Sequence, residues 1–487
     1  MKEKQSFLKH FFIIGGGTII NMLVGLLTTP VITRLVDPVE YGQLSIFMMY
    51  SNLAVMILCL GLDQALVRFY YQDDSIAYKR ALLFRCIKLP IIITFWSSVI
   101  IILLSVFKIV SFEFTIPVMI LLSVCVFVQL IYRFSLLLVR LAYKSKKYSF
   151  LNVLQKLTYV VLAVGLLYFM RNNNLLALVI ATVSSYVVCM IVSILMQPEE
   201  WDLGRVGNEE NIVIPQRDLL KYAIPFILSM SITQLFHAID KISLNHFCTY
   251  AEVGVYSSAM TLVQVFAIVQ TSFNTVWAPM QVEHYTKDPE DHSFYKKANQ
   301  VITVVMFFLG LSLILAKDIF AVLLGNKYRE AAYILPFLIF NPIMYTISET
   351  TCGGIVFMKK SKMQIVVAVG ACITNIIGNT LLVPALGCRG AAISTGISYI
   401  VFFSLRTFIA NKYYYTDFNL KKFYLFTAIT CVYAYCNTFY KFGIWTIVSY
   451  IFCVVILLVM YKDTIFWGIQ SGRSMIEQLK KRQKSHD

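Results

Sequence analysis

Apolar residues in this chain come in runs of about twenty, parted by short polar stretches. The runs fall at 11–33, 43–63, 85–107, 115–138, 150–169, 175–196, 221–244, 254–280, 298–316, 331–357, 365–383, 391–410, 423–440 and 443–461. A helix of about twenty apolar residues crosses roughly 30 Å of hydrocarbon. A soluble core would instead show shorter amphipathic stretches with one polar face. The pattern predicts an all-α polytopic membrane protein with about fourteen transmembrane helices. Lys441 and Phe442 leave almost no loop between the last two runs, so twelve spans is the alternative count. Lys2, Lys4 and Lys9 lead into the first run as in a signal peptide. No small-residue cleavage site follows, and an uncleaved first helix is expected.

Composition agrees with the pattern. Hydrophobic residues make up 58% of the 487 and charged residues 14%, and the mean hydropathy is +0.71; soluble proteins carry roughly 25% charged residues. The net charge of +16 would suggest nucleic acid in a soluble protein. Here the cations sit in short loops, and no basic helix carries interleaved aromatics for base stacking. Thirty Lys and Arg fall in the loops on the side of the N-terminus, including the tail from Tyr461. Eight lie opposite: Arg34, Lys108, Arg171, Lys317, Lys327, Arg329, Arg389 and Lys441. Basic loops are retained in the cytoplasm, which predicts that both termini are cytoplasmic. The eleven cysteines contain no C-x-x-C pair, and most, such as Cys59 and Cys453, lie in apolar runs as small hydrophobes.

Three short matches recur at nearly one offset. Glu40-Tyr41-Gly42 returns as Glu252-Val253-Gly254, Tyr78-Lys79-Arg80-Ala81 as Tyr295-Lys296-Lys297-Ala298, and Thr182, Ser185 and Tyr186 as Thr395, Ser398 and Tyr399. Their order predicts a duplication. A six-helix lobe at 1–200 and a second at 221–410 would be joined by a cytoplasmic linker at 201–220 and related by a pseudo-two-fold axis along the membrane normal. Helices thirteen and fourteen (411–461) and a basic amphipathic tail (462–487) lie outside the repeat.

Charges inside spans are costly and mark candidate function. His237, Asp240 and Lys241 share one face of span seven, continued by Thr233 a turn earlier. Span one contributes Asn21, Thr28 and Arg34. These residues either line a substrate path or, for Asp240 and Lys241, lock to a neighbour or snorkel. Arg133, with Gln129 a turn away, either meets an anionic substrate or snorkels, and Arg68 either guards the inner mouth or follows the charge rule. Lys156 and Arg406 are expected to snorkel. Glu349 in span ten is a proton or sodium site or an interhelical partner, and Asp240 is a second ion-coupling candidate. Pro225, Pro336 and Pro342 predict hinges or fixed kinks. Gly15-Gly16-Gly17 is packing glycine inside a span, since no phosphate loop, zinc pattern or nucleophile elbow occurs. No cofactor, metal or catalytic residue is expected.

Several stretches resemble bacterial polysaccharide exporters of the oligosaccharide flippase (Wzx-type) family. They are Pro30-Val31-Ile32-Thr33-Arg34-Leu35, Glu40-Tyr41-Gly42, Gly61 to Arg68, Ile239-Asp240-Lys241, Leu324-Gly325-Asn326-Lys327-Tyr328 and Gly390-Ala391-Ala392. The resemblance covers about 1–410. It implies a two-lobed transporter of the multidrug/oligosaccharidyl-lipid/polysaccharide superfamily. Such a protein would move undecaprenyl-diphosphate-linked sugar units across a bacterial plasma membrane for capsule or O-antigen type polymers. Its partners would be the lipid-linked oligosaccharide, membrane lipids and polysaccharide polymerase or assembly proteins, with no nucleic acid. Cation-coupled drug export and peptidoglycan-precursor flipping are the neighbouring readings. A polymerase or ligase comes third, because the longest outer loop, 317–330, is too short for an arginine-bearing outer domain.

Overall fold

In a computed structural model, residues 23–108, 113–170, 173–202, 204–205, 214–467 and 470 are described, and among them there is no strand. The fold is all-α, and among the described residues each predicted run coincides with a helix or a broken helix. The start of the first run, Gly15 to Gly17, Asn21 and most of the basic tail lie outside the described residues. Eight described helices are long and apolar enough to cross a membrane, or nine if one bent pair forms a single span. The chain is a multi-pass membrane protein. It divides into two compact units, residues 1–268 with 324–328 and residues 269–323 with 329–487.

The first unit contains α1 (Leu23–Leu35), α2 (Pro38–Leu58), α3 (Leu62–Phe69), α4 (Ile76–Val106), α5 (Ile116–Leu141), α6 (Ser145–Phe169), α7 (Asn174–Leu195), α8 (Gln216–Phe247) and α9 (Tyr250–Val263). Contact thus groups α8 and α9 with the helices before the 201–220 linker. Pro38, whose missing N–H costs nothing in the first turn, starts α2. Glu40 Oε2 accepts the Asp37 N–H at 2.8 Å there. Between α2 and α3 the chain turns at Gly61, with φ +67°. A Cβ at Gly61 would sit 2.5 Å from the Ala223 carbonyl oxygen of α8, so only glycine fits. Leu62, Leu66, Leu82, Cys86, Phe134 and Leu138 form the adjoining core. The most apolar windows of α4 and α6 are only 11% and 17% buried. Exposed Phe95, Trp96, Ile100 and Val161 on these spanning helices read as a lipid-facing surface.

The second unit follows the bend between α9 and α10 (Val265–Lys287). It holds α11 (His292–Leu315), α12 (Lys317–Leu323), α13 (Ala331–Leu338), α14 (Phe340–Thr351), α15 (Gly353–Phe357), α16 (Lys362–Tyr413), α17 (Leu420–Phe439) and α18 (Ile444–Met460). The run at 331–357 is broken into α13, α14 and α15. Pro342 cannot donate to the Leu338 carbonyl, and the break lies between them. The 52-residue stretch α16 is two helices that meet at a kink, so the two predicted spans stay separate: Gly387 between them is non-helical, at φ 56° and ψ −135°. The span window formed by α13 and α14 is 83% buried.

Candidate substrate path

In the first unit α2 packs closely on α9. A Cβ on Gly42 would lie 1.8 Å from the Tyr250 carbonyl oxygen, and one on Gly254 would lie 2.1 Å from that of Pro38. One turn further, the Ser45 and Ser257 hydroxyls are 2.7 Å apart, with both side chains buried. The contacts are reciprocal: Pro38 corresponds to Tyr250, Gly42 to Gly254 and Ser45 to Ser257, each 212 residues on. That is the isologous pattern of a two-fold axis.

The same end of the unit is tied by polar contacts. Lys327 pairs with Asp37, and the Tyr328 hydroxyl donates to the Val36 carbonyl at 3.2 Å. Glu113 accepts from Asn245 at 2.6 Å and from the Tyr250 hydroxyl at 3.4 Å. Arg34 is exposed here, its Cγ against Gly325.

On α8, Asp240 is buried and accepts the Tyr256 hydroxyl of α9 at 2.6 Å. Neighbouring positions on a helix point about 100° apart, so Lys241 leaves this pair. Among the described residues its half-buried ammonium makes no hydrogen bond or ion pair, and Asp240 acts on it through space. The helix carrying Thr233 and His237 is described, but their side chains are not.

Arg133 of α5 is paired with Asp63 of α3, Nη2 to Oδ2 at 2.5 Å and Nε to Oδ2 at 3.1 Å. Asp63 is 3% exposed, and the Arg133 side chain keeps 33% of its surface. The guanidinium is therefore neutralised within the unit by Asp63. Arg68, at the end of α3, is exposed.

Two expectations of snorkelling are corrected. Arg406 turns into the bundle, its Nη1 2.8 Å from Glu349 Oε1 and 2.7 Å from Ser348 Oγ. Its guanidinium also lies 5.7 Å from the Tyr345 and Phe402 ring centres. A carboxylate within reach outweighs the distant interface, because an unpaired charge in hydrocarbon is the costlier state. Around this pair the Trp277 indole donates to the Glu349 carbonyl at 3.0 Å, and the Thr351 and Thr407 hydroxyls meet at 2.7 Å. Lys156 likewise points at α1: its Nζ occupies the space over Gly25, where a Cβ would lie 2.4 Å away.

The partners Asp63, Tyr256, Ser45 and Ser257 were not singled out from sequence. The serines had a signal, since they share the 212-residue offset of the Glu40 and Glu252 matches. Asp63 lay within the Gly61-to-Arg68 stretch, with nothing to link it to Arg133.

These features define a polytopic helical membrane fold, and solved structures share it. The chain is similar to the lipid II flippase MurJ in an inward closed conformation, with a TM-score of 0.69 and 14% identity over 96% of this chain and 100% of that one. It is also similar to an outward-facing multidrug resistance MATE family transporter of the MOP superfamily, with a TM-score of 0.55 and 16% identity over 83% of this chain and 95% of that one. The chain belongs to the polysaccharide biosynthesis protein family, which matches residues 7–285. Among curated relatives it is similar to the probable low-salt glycan biosynthesis flippase Agl15 of Haloferax volcanii, 20% identical over 279 residues, 55% of this chain and 56% of the relative. An uncharacterized membrane protein of Methanocaldococcus jannaschii, MJ1068, is 23% identical over 213 residues, 43% of this chain and 42% of the relative. The chain spans about half the length of the curated relatives it matches.

Proposed function

We propose that this protein is a flippase moving undecaprenyl-diphosphate-linked oligosaccharides from the inner to the outer leaflet of a bacterial plasma membrane. The product would be a surface polysaccharide of capsule or O-antigen type. Family membership supports the broader reading, and Lys241 carries the mechanistic one. A diphosphate cannot cross hydrocarbon alone, because desolvating it costs several kcal/mol or more. An ammonium whose adjacent carboxylate is held by Tyr256 is available to meet it, while the polyprenyl tail needs only lipid.

The cycle is alternating access between two six-helix lobes, with both termini in the cytoplasm. The reciprocal contacts at Gly42 and Ser45 support a two-fold relation between α2 and α9. The charge asymmetry supports an outer position for the Asp37–Lys327 end, which would make the α2–α9 seam the outer gate. Asp240 and Glu349 enter an ion-coupled step only by exchanging their present partners, Tyr256 and Arg406. The whole-length likeness to the lipid II flippase supports a second reading, a peptidoglycan lipid-precursor flippase; the drug-exporter fold is matched less fully.

Depletion followed by mass spectrometry of polyprenyl-linked sugars separates these. Accumulated polymer repeat units with loss of surface polysaccharide support the proposal. Accumulated peptidoglycan precursor supports the second reading, and drug sensitivity with normal polymer supports the exporter.

A further inference from the structure

Within the second unit, the loop between α16 and α17 borders a cavity of about 450 Å³. Asn411, Tyr415, Thr416, Asn419, Lys421 and Lys422 contribute to its walls. The Asn411 amide donates to the Thr416 carbonyl at 3.3 Å, and the Asn419 N–H donates to Asp417 Oδ1 at 3.1 Å, which shapes the loop. Asp417, the one carboxylate lining the cavity, is paired with Lys296 of α11 at 2.8 Å. Lys421 and Lys422 are exposed in the first turn of α17, where cations oppose the helix dipole. Their place there gives nothing to the helix. Lys412, in the last turn of α16, is exposed too, its Nζ 4.6 Å from the Phe408 ring centre. Lys360 Nζ lies 5.8 Å from the Tyr413 ring centre, with Lys359 and Lys362 exposed beside it. Among the described residues, none of these six ammonium groups has an ion pair or hydrogen bond.

The position of the cluster selects its anion. α17 has 20 residues, about 30 Å at 1.5 Å per residue, so as a span it sets its first turn at head-group level. Tyr415 in the cavity wall, Phe408 under Lys412 and Leu425 on α17 are all exposed. Exposed aromatics among lysines mark a membrane interface, whereas a soluble anion needs no apolar flank. We propose that this cavity and its lysines bind the phosphate of an anionic membrane phospholipid, which braces the α16–α17 loop. Ammonium groups give charge-assisted hydrogen bonds to phosphate oxygens, and the acyl chains lie along the apolar faces of α16 and α17. The occupant is a resident lipid rather than a transported one, so the proposal stands apart from the flippase reading.

Native mass spectrometry of the full-length protein in detergent tests this, with phosphatidylglycerol and phosphatidylcholine of the same acyl chains as probes. Wild type should bind phosphatidylglycerol about fivefold more tightly or better. Lys421→Gln with Lys422→Gln should weaken phosphatidylglycerol roughly tenfold or more and leave phosphatidylcholine unchanged. Lys421→Arg with Lys422→Arg should keep the affinity. Lys146→Gln with Lys147→Gln removes the same charge from exposed positions in the first unit and should bind as wild type. Phosphatidylglycerol should also raise the melting temperature of wild type but not of the Lys421 and Lys422 glutamine variant. Equal affinity of wild type for the two lipids overturns the proposal, as does wild-type binding by that variant. An equal loss in the Lys146 and Lys147 variant would show bulk charge rather than a site. Displacement of the lipid by inorganic phosphate would make the cavity a soluble-anion site, which also overturns the proposal.

Discussion

Ser45 and Ser257, 212 residues apart, share a buried hydrogen bond of 2.7 Å. Each stands three residues beyond a glycine that presses its helix onto the partner's backbone. If this seam is the outer gate, locking it stops transport. Ser45→Cys with Ser257→Cys, and a protease site inserted in the 201–220 linker, should yield halves that stay joined after oxidation and cleavage. Export should cease on oxidation and return on reduction. Continued export by a fully cross-linked protein contradicts the gate.

The glycines give a second prediction. A methyl at Gly42 meets a backbone oxygen at 1.8 Å, and one at Gly254 meets another at 2.1 Å, where no side-chain rotation gives relief. Gly42→Ala and Gly254→Ala should each hold α2 and α9 apart at a cost of about 1–3 kcal/mol or more. Spin labels placed beside the seam should report a longer distance, and export should fall at unchanged protein abundance. An unchanged distance would show that the seam absorbs the methyl.

The Arg406–Glu349 pair is predicted to act in stability. Removing one partner strands a buried charge, at a cost of about 3–5 kcal/mol. Glu349→Gln and Arg406→Met should each lower the melting temperature in detergent, and the double variant should recover much of the loss. If Glu349 also couples an ion, the double variant stays inactive though stable. Additive destabilisation would show that the two residues do not act as a pair.

Much of the helical architecture was readable from run length alone, because membrane spans need about twenty apolar residues whatever their neighbours. Breaks within runs were partly readable: Pro336 and Pro342 stand in the run that splits into α13, α14 and α15. The direction each charge takes was not. Whether Arg406 or Lys156 turns to lipid or to a partner depends on rotation about the helix axis and on what the facing helix offers. Glu349 lies 57 residues from Arg406, and Asp63 lies 70 from Arg133. Sequence spacing within one helix speaks to neither. It did place Asp240 and Lys241 side by side, but it could not show that Tyr256 takes the carboxylate.

The thirty-to-eight charge asymmetry predicts the topology. Reporter fusions after Arg171, Arg389 and Lys441 should report outside, and one at Lys360 inside. An inside signal at Lys441 would reduce the span count.

Leaflet exchange in reconstituted vesicles tests whether the protein carries a lipid-linked anion past Lys241. Purified protein would be inserted into liposomes holding an undecaprenyl-diphosphate oligosaccharide with a fluorophore on its sugar, and dye quenched from outside would be followed in time. Wild type should make nearly all of the labelled lipid accessible. Lys241→Ala, at equal incorporation and melting temperature, should slow exchange on the order of tenfold or more, as expected for loss of a charge-assisted contact. Exchange no faster than in protein-free vesicles, or a Lys241→Ala rate equal to wild type, would contradict the account.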